Sequence, residues 1–128
     1  MRLSFSLLAI VLASLGIFLL ISREPRGDVM IVDAREQDTV SIVLSEEGFI
    51  PRYVLIRKGT TINFTTTREY QFWPASNEHP AHTMYSAFDP QQPLESEDSW
   101  SFVFDRAGEW SFHDHVRSYY TGIIYVEE

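Results

Sequence analysis

The chain has 128 residues, enough for one small domain behind its N-terminal run, and a formal net charge of −8. Residues 28–128 alone carry 17 Asp and Glu against 7 Lys and Arg, a balance of −10 that disfavours nucleic acid and anionic lipid headgroups as partners. There is no cysteine, which excludes disulfides, zinc–thiolate sites, lipidated cysteine and any copper site that needs a thiolate.

Residues 3–21, LSFSLLAIVLASLGIFLLI, hold no charge and match the roughly 20 apolar residues of one bilayer crossing. The run is longer than a signal-peptide core of about 7–15 residues, and ISREPRGD follows it with no small-x-small cleavage pair. Residues 1–22 are therefore expected to form an uncleaved N-terminal transmembrane helix. The protein would be a single-pass cell-membrane protein with its domain on the extracytoplasmic side, periplasmic or extracellular, and secreted if the segment is cleaved. Residues 23–37 read as a polar stalk broken by Pro25 and Gly27, with VMIV at 29–32 as a candidate first strand.

From residue 38 the texture changes to short β-rich runs: TVSIVL at 39–44, RYVLIR at 52–57, TINFTTT at 61–67, SWSFVF at 99–104, EWSFHDH at 109–115 and GIIYVEE at 122–128. Each alternates apolar with polar residues, and turn signals such as EEGFIP, RKGT and FDRAGE separate them. Strands of this spacing predict a β-sandwich or barrel over residues 38–128. Phe64, Trp100, Phe102, Phe104, Trp110 and Phe112, at alternate positions, are the expected core. Residues 68–98 break the pattern. Loops beyond roughly 15 residues are uncommon in a compact domain, and this one carries Phe72, Trp73, Met84, Tyr85 and Phe88, too many large apolar groups for a disordered linker. It is expected to fold over one end of the sandwich, with its aromatics packed beneath it.

GFIPRYVLIRKGTTINFTTT (48–67) resembles the cupredoxin pattern G-F-x-P followed by an apolar strand, a glycine turn and a second strand. SWSFVFDRAGEWSFHDHVRSYYTGIIYV (99–126) is similar to that family's closing hairpin and ligand loop. The resemblance covers about half the domain and implies an all-β, cupredoxin-like Greek-key β-sandwich. It departs from the family where blue copper is held. With Gly108 and Gly122 as the framing glycines, Asp114 falls at the copper cysteine, Arg117 at the second histidine and Tyr120 at the methionine. A type 1 copper carrier is thereby excluded. The run W-x-x-H-D-H, from Trp110 to His115, also resembles the W-Y-H-D-H metal arm of multicopper oxidases.

All four histidines lie in two tight pairs, NEHPAH with His79 and His82, and FHDH with His113 and His115. In a strand, residues i and i+2 share a face with Cβ atoms roughly 7 Å apart. His113 and His115 should therefore point out of the core, opposite Trp110, Phe112 and Asp114. The long loop starts from TINFTTT, which in the family ends at the metal pole, so His79 and His82 are placed to meet them there. An all-nitrogen site of this kind suits copper, with zinc also acceptable. Asp114 is expected to orient an imidazole or bind backbone, with a ligand oxygen as the other role. Three readings follow: a copper-binding domain in copper handling or redox, a metal-free interaction module on the same scaffold, and a single-domain oxidase-like copper enzyme.

Overall fold

The computed structural model describes residues 29–128; the expected transmembrane segment and the first part of the expected stalk lie outside the described residues. The described residues form nine strands: β1 (Val32–Asp33), β2 (Thr39–Ser45), β3 (Gly48–Ile50), β4 (Tyr53–Arg57), β5 (Thr61–Thr66), β6 (Pro74–Ser76), β7 (Trp100–Val103), β8 (Gly108–Asp114) and β9 (Thr121–Glu127). No helix occurs among the described residues. The six alternating runs all form strands within a few residues of their expected ends. Their periodicity sorts the side chains as expected: in β2, Val40, Ile42 and Leu44 are buried while Thr39 and Ser41 are exposed.

Two sheets face each other, one of five strands in the order β1-β4-β9-β8-β6 and one of four in the order β3-β2-β5-β7. The pairs β1/β4, β4/β9 and β2/β5 are parallel and the rest antiparallel. Between the sheets lies an aromatic core. The Phe64 ring sits 5.6 Å from Phe88, 5.9 Å from Trp100 and 5.7 Å from Phe112. Phe104 is fully buried as well, while Trp100, Phe102 and Trp110 are partly buried against this cluster. Gly122 faces Phe112 across the β8/β9 ladder. A Cβ there would come 2.6 Å from the Phe112 ring and 2.7 Å from the Arg52 carbonyl oxygen, so only glycine fits beneath that ring.

The long loop is part of the core. Phe72, Tyr85 and Phe88 are all buried, and the Phe88 ring stacks against Trp100 at 5.8 Å and 2°. Residues 74–76 form β6, a strand that the sequence pattern does not announce. Pro74 occupies its first residue on a sheet edge, where a missing N–H is tolerated, and all three residues are buried, so no alternation marks it. The short β3 is likewise unannounced. Of VMIV only Val32 enters a strand. Residues 32–35 are attached to the sandwich: Val32 and Asp33 pair with Val54 and Leu55, Ala34 is buried, and the Arg35 side chain bonds Glu127.

Candidate metal centre

β8 carries His113 one residue before its end, and His115 follows just beyond it. As the alternation requires, His113 lies on the face opposite Phe112, yet it is only 2 % exposed. The reason is β6, which pairs Ala75 with His113 and leads directly into the segment bearing the other two histidines. His82 is buried, His115 half-buried and His79 exposed, so the cluster is closed on the sandwich side and open to water at His79.

All four histidines come together, each offering a ring nitrogen within 4.8 Å of every other. His79 Nδ1 lies 3.0 Å from His113 Nε2, and His82 Nε2 lies 2.9 Å from His115 Nδ1. These contacts approach the edges of roughly 2.9–3.4 Å that nitrogens about 2.0–2.1 Å from a common centre would form.

Two rings are fixed by partners on their far nitrogens. His113 Nδ1 donates to Asn77 Oδ1 at 2.8 Å; the Asn77 amide is oriented by donating its own N–H to Ser111 Oγ at 3.0 Å. His82 Nδ1 donates to Asp89 Oδ2 at 2.6 Å. An imidazole that donates from Nδ1 presents a lone pair at Nε2. Both Nε2 lone pairs therefore point into the cluster. His82 takes a left-handed backbone conformation (φ 53°), uncommon for a residue with a Cβ and of the kind that clusters at functional sites.

Burial, followed by the neighbouring rings of His82, His79 and His115, holds His113 down at about 4. Burial and the His82 and His79 rings lower His115 as well. Both are neutral at pH 7 and able to donate lone pairs. Burial by itself would push the Asp89 carboxyl up, but hydrogen bonds from His82, the Gln91 N–H and Trp73 outweigh it and keep the group below its ordinary value.

Asp114 is fully buried and lies outside the cluster of ligand atoms. Its Oδ1 accepts the Trp73 N–H at 2.7 Å and the Val116 N–H at 3.3 Å, so it binds backbone and shapes the turn that carries His115. Its Oδ2 faces Arg68 Nη1 at 3.9 Å, and this oxygen and all three guanidinium nitrogens have no hydrogen-bond partner. Burial pushes the Asp114 carboxyl up, against the opposing Trp73 and Val116 N–H bonds and the Arg68 charge. The Arg68 guanidinium lies between the rings of Tyr120 and Tyr70, at 5.1 and 5.6 Å.

Two residues around the cluster, Asn77 and Asp89, escape sequence reasoning, and Trp73, expected to pack beneath the loop, also touches the cluster. The Trp73 ring packs on His115 at 4.3 Å, its indole N–H donates to Asp89 Oδ1 at 2.8 Å, and its carbonyl accepts the His115 N–H at 2.7 Å. A carboxylate seven residues beyond His82 in a loop is a signal, but Glu78, Glu95, Glu97 and Asp98 share that loop and give the same signal.

No family model matches the chain, and no curated protein is similar to it. Solved structures are. A purple cupredoxin from Nitrosopumilus maritimus superposes with a TM-score of 0.60 at 18% identity, over 69% of this chain and 99% of that one. A Cu(I) amicyanin variant gives 0.60 at 12% identity, over 71% of this chain and 84% of that one. A copper-containing nitrite reductase from Thermus scotoductus gives 0.58 at 20% identity over 70% of this chain, which spans only 22% of that enzyme.

Proposed function

We propose, taking the cupredoxin fold of residues 29–128 as the premise, that this domain binds one copper ion through His79, His82, His113 and His115. The observation that supports the reading best is the fixing of His82 and His113 by Asp89 and Asn77, which turns two lone pairs into a space where two more imidazoles converge. The donor set is compatible with Cu(II), and Zn(II) would also be accepted; at equal concentration copper is favoured. With no cysteine in the chain the centre is not blue, and a bound copper would supply a nitrogen-ligated centre for holding the ion or for one-electron chemistry.

The exposed side at His79 is the entry path, so an ion can arrive or leave without the sandwich opening. This favours copper handling over structural use of the ion. The extracytoplasmic location rests on the apolar 3–21 run, which we propose as a retained membrane anchor. The test is titration of the full chain in detergent with Cu(II), Cu(I) and Zn(II). One equivalent of Cu(II) with an all-nitrogen paramagnetic signal and no intense thiolate band supports the reading. Absence of stoichiometric binding of any of the three ions at micromolar concentration overturns it and favours the metal-free module.

A further inference from the structure

Asp89 differs from every other acidic residue at this end of the sandwich in how its oxygens are used. Oδ1 accepts the Trp73 indole N–H at 2.8 Å and the Gln91 backbone N–H at 2.7 Å, while Oδ2 accepts His82 Nδ1–H at 2.6 Å. Three donors converge on one side chain, and both oxygens must accept. Only a carboxylate does this; an asparagine would turn an NH2 toward either His82 or the Trp73 and Gln91 pair, setting donor against donor. One arm of this contact fixes His82. The other fixes the indole, whose ring packs on His115 at 4.3 Å. The same side chain thus governs two of the four imidazoles, one by a hydrogen bond and one through a stacked ring.

We infer that Asp89 is the positioning residue of the histidine centre: its two oxygens hold His82 Nε2 and the His115 ring in place, and so set metal affinity and the preference for Cu(II) over Cu(I). The inference rests on the metal reading above. A carboxylate accepting from the far nitrogen of a ligating histidine makes that ligand a stronger donor. Stronger donation stabilises the more highly charged ion, so Asp89 favours Cu(II).

The experiment compares the full chain in detergent with Asp89→Asn and Trp73→Phe, the latter keeping a ring against His115 while losing the indole donor. Chelator competition gives the Cu(II) and Cu(I) affinities, and long-range 15N NMR of the metal-free protein reads the His82 tautomer. In the wild type, His82 should be a single tautomer with a proton on Nδ1. Asp89→Asn should mix the tautomers, lower Cu(II) affinity about 10–100-fold and lower Cu(I) affinity less. The copper potential then rises by about 59 mV for each tenfold difference between the two losses. Trp73→Phe should lower Cu(II) affinity by a smaller factor with the His82 tautomer unchanged. Wild-type Cu(II) affinity, potential and tautomer in a folded Asp89→Asn would overturn the inference and leave the metal reading standing. If the wild type binds no ion, the metal reading and this role fall together, and the tautomer alone reports whether the Asp89 to His82 bond forms. If Asp89→Asn does not fold, an unchanged Cu(II) affinity in Trp73→Phe overturns the indole arm, and mixed His82 tautomers in the metal-free wild type overturn the other.

Discussion

The two poles of this sandwich handle polar groups in opposite ways. At the pole away from the histidines, Arg35 pairs with Asp33 and Glu127, Arg57 with Glu36 and Lys58 with Glu128, all in water. At the histidine pole His82, His113 and Asp114 are buried, and hydrogen bonds to the half-buried Asp89 and Asn77 turn the lone pairs of two imidazoles into the cluster. Exposed ion pairs of the first kind contribute little to stability and are screened by salt. In the second arrangement two ring lone pairs are turned into the cluster, each beside a nitrogen of a further imidazole. The contrast separates a pole of exposed ion pairs from a pole whose imidazoles are fixed by hydrogen bonds.

The largest effect should come from the residue that joins the loop to the scaffold. Phe88→Ala removes a fully buried ring between Phe64, Trp100 and Phe112 and should cost about 3–5 kcal/mol in chemical denaturation of the metal-free protein. A loss under 1 kcal/mol would show that the loop lies on the core without belonging to it. Next, the fixed and the open ligands should differ. His113→Ala should lower Cu(II) affinity at least 100-fold, beyond the range typical for outer partners, and His79→Ala, at the open edge, should lower it less. Equal losses would remove the distinction between a closed and an open side of the cluster.

Acid should act on the histidine pole. Between pH 4 and 6.5 the unfolded chain holds a proton at His113 that the native chain, with this group at about 4, does not. Stability of the metal-free protein therefore rises with pH across that window, and the gain is lost as pH falls from 6.5 to 4. The amount is on the order of 2 kcal/mol after discounting for water at the His79 side, and His115 adds in the same direction. A pH series of denaturant midpoints that is flat over this window would contradict it. The smallest effect belongs to the other pole: Arg35→Ala should shift the thermal midpoint slightly at low salt and not at 1 M salt. A shift that persists at high salt would mean that the pair with Glu127 holds β1 in place.

Much of the scaffold was legible because alternation is a local signal. The runs at 39–44, 52–57 and 61–67 read directly as β2, β4 and β5, since every second side chain had to be apolar. β6 was not legible, because a three-residue strand buried on both faces shows no alternation and opens with proline. The four histidines could be singled out by their pairing, and the period of two correctly separated His113 from Phe112. The burial of His82 and His113 could not be read, because it depends on β6 pairing beside β8 and on the segment that follows it. Asn77 and Asp89 were hidden for a related reason: a hydrogen bond to the far side of a ring depends on where the loop backbone turns, and no spacing encodes that. Arg68 and Asp114, 46 positions apart, meet only once both sheets are assembled.

His79 and His113 stand 34 residues apart and face each other only because Ala75 is seated against His113. Closing a segment of that length costs entropy before any contact repays it. A chain whose sheets have formed but whose β6 has slipped by one residue against β8 would carry His79 and His82 out of register with His113 and His115. An ion held by residues from both sides of that junction binds the correctly zipped chain alone, and by mass action it favours that chain over its near misses. A bound ion would thus act as a proofreader of its own container, holding a three-residue edge strand in its proper alignment.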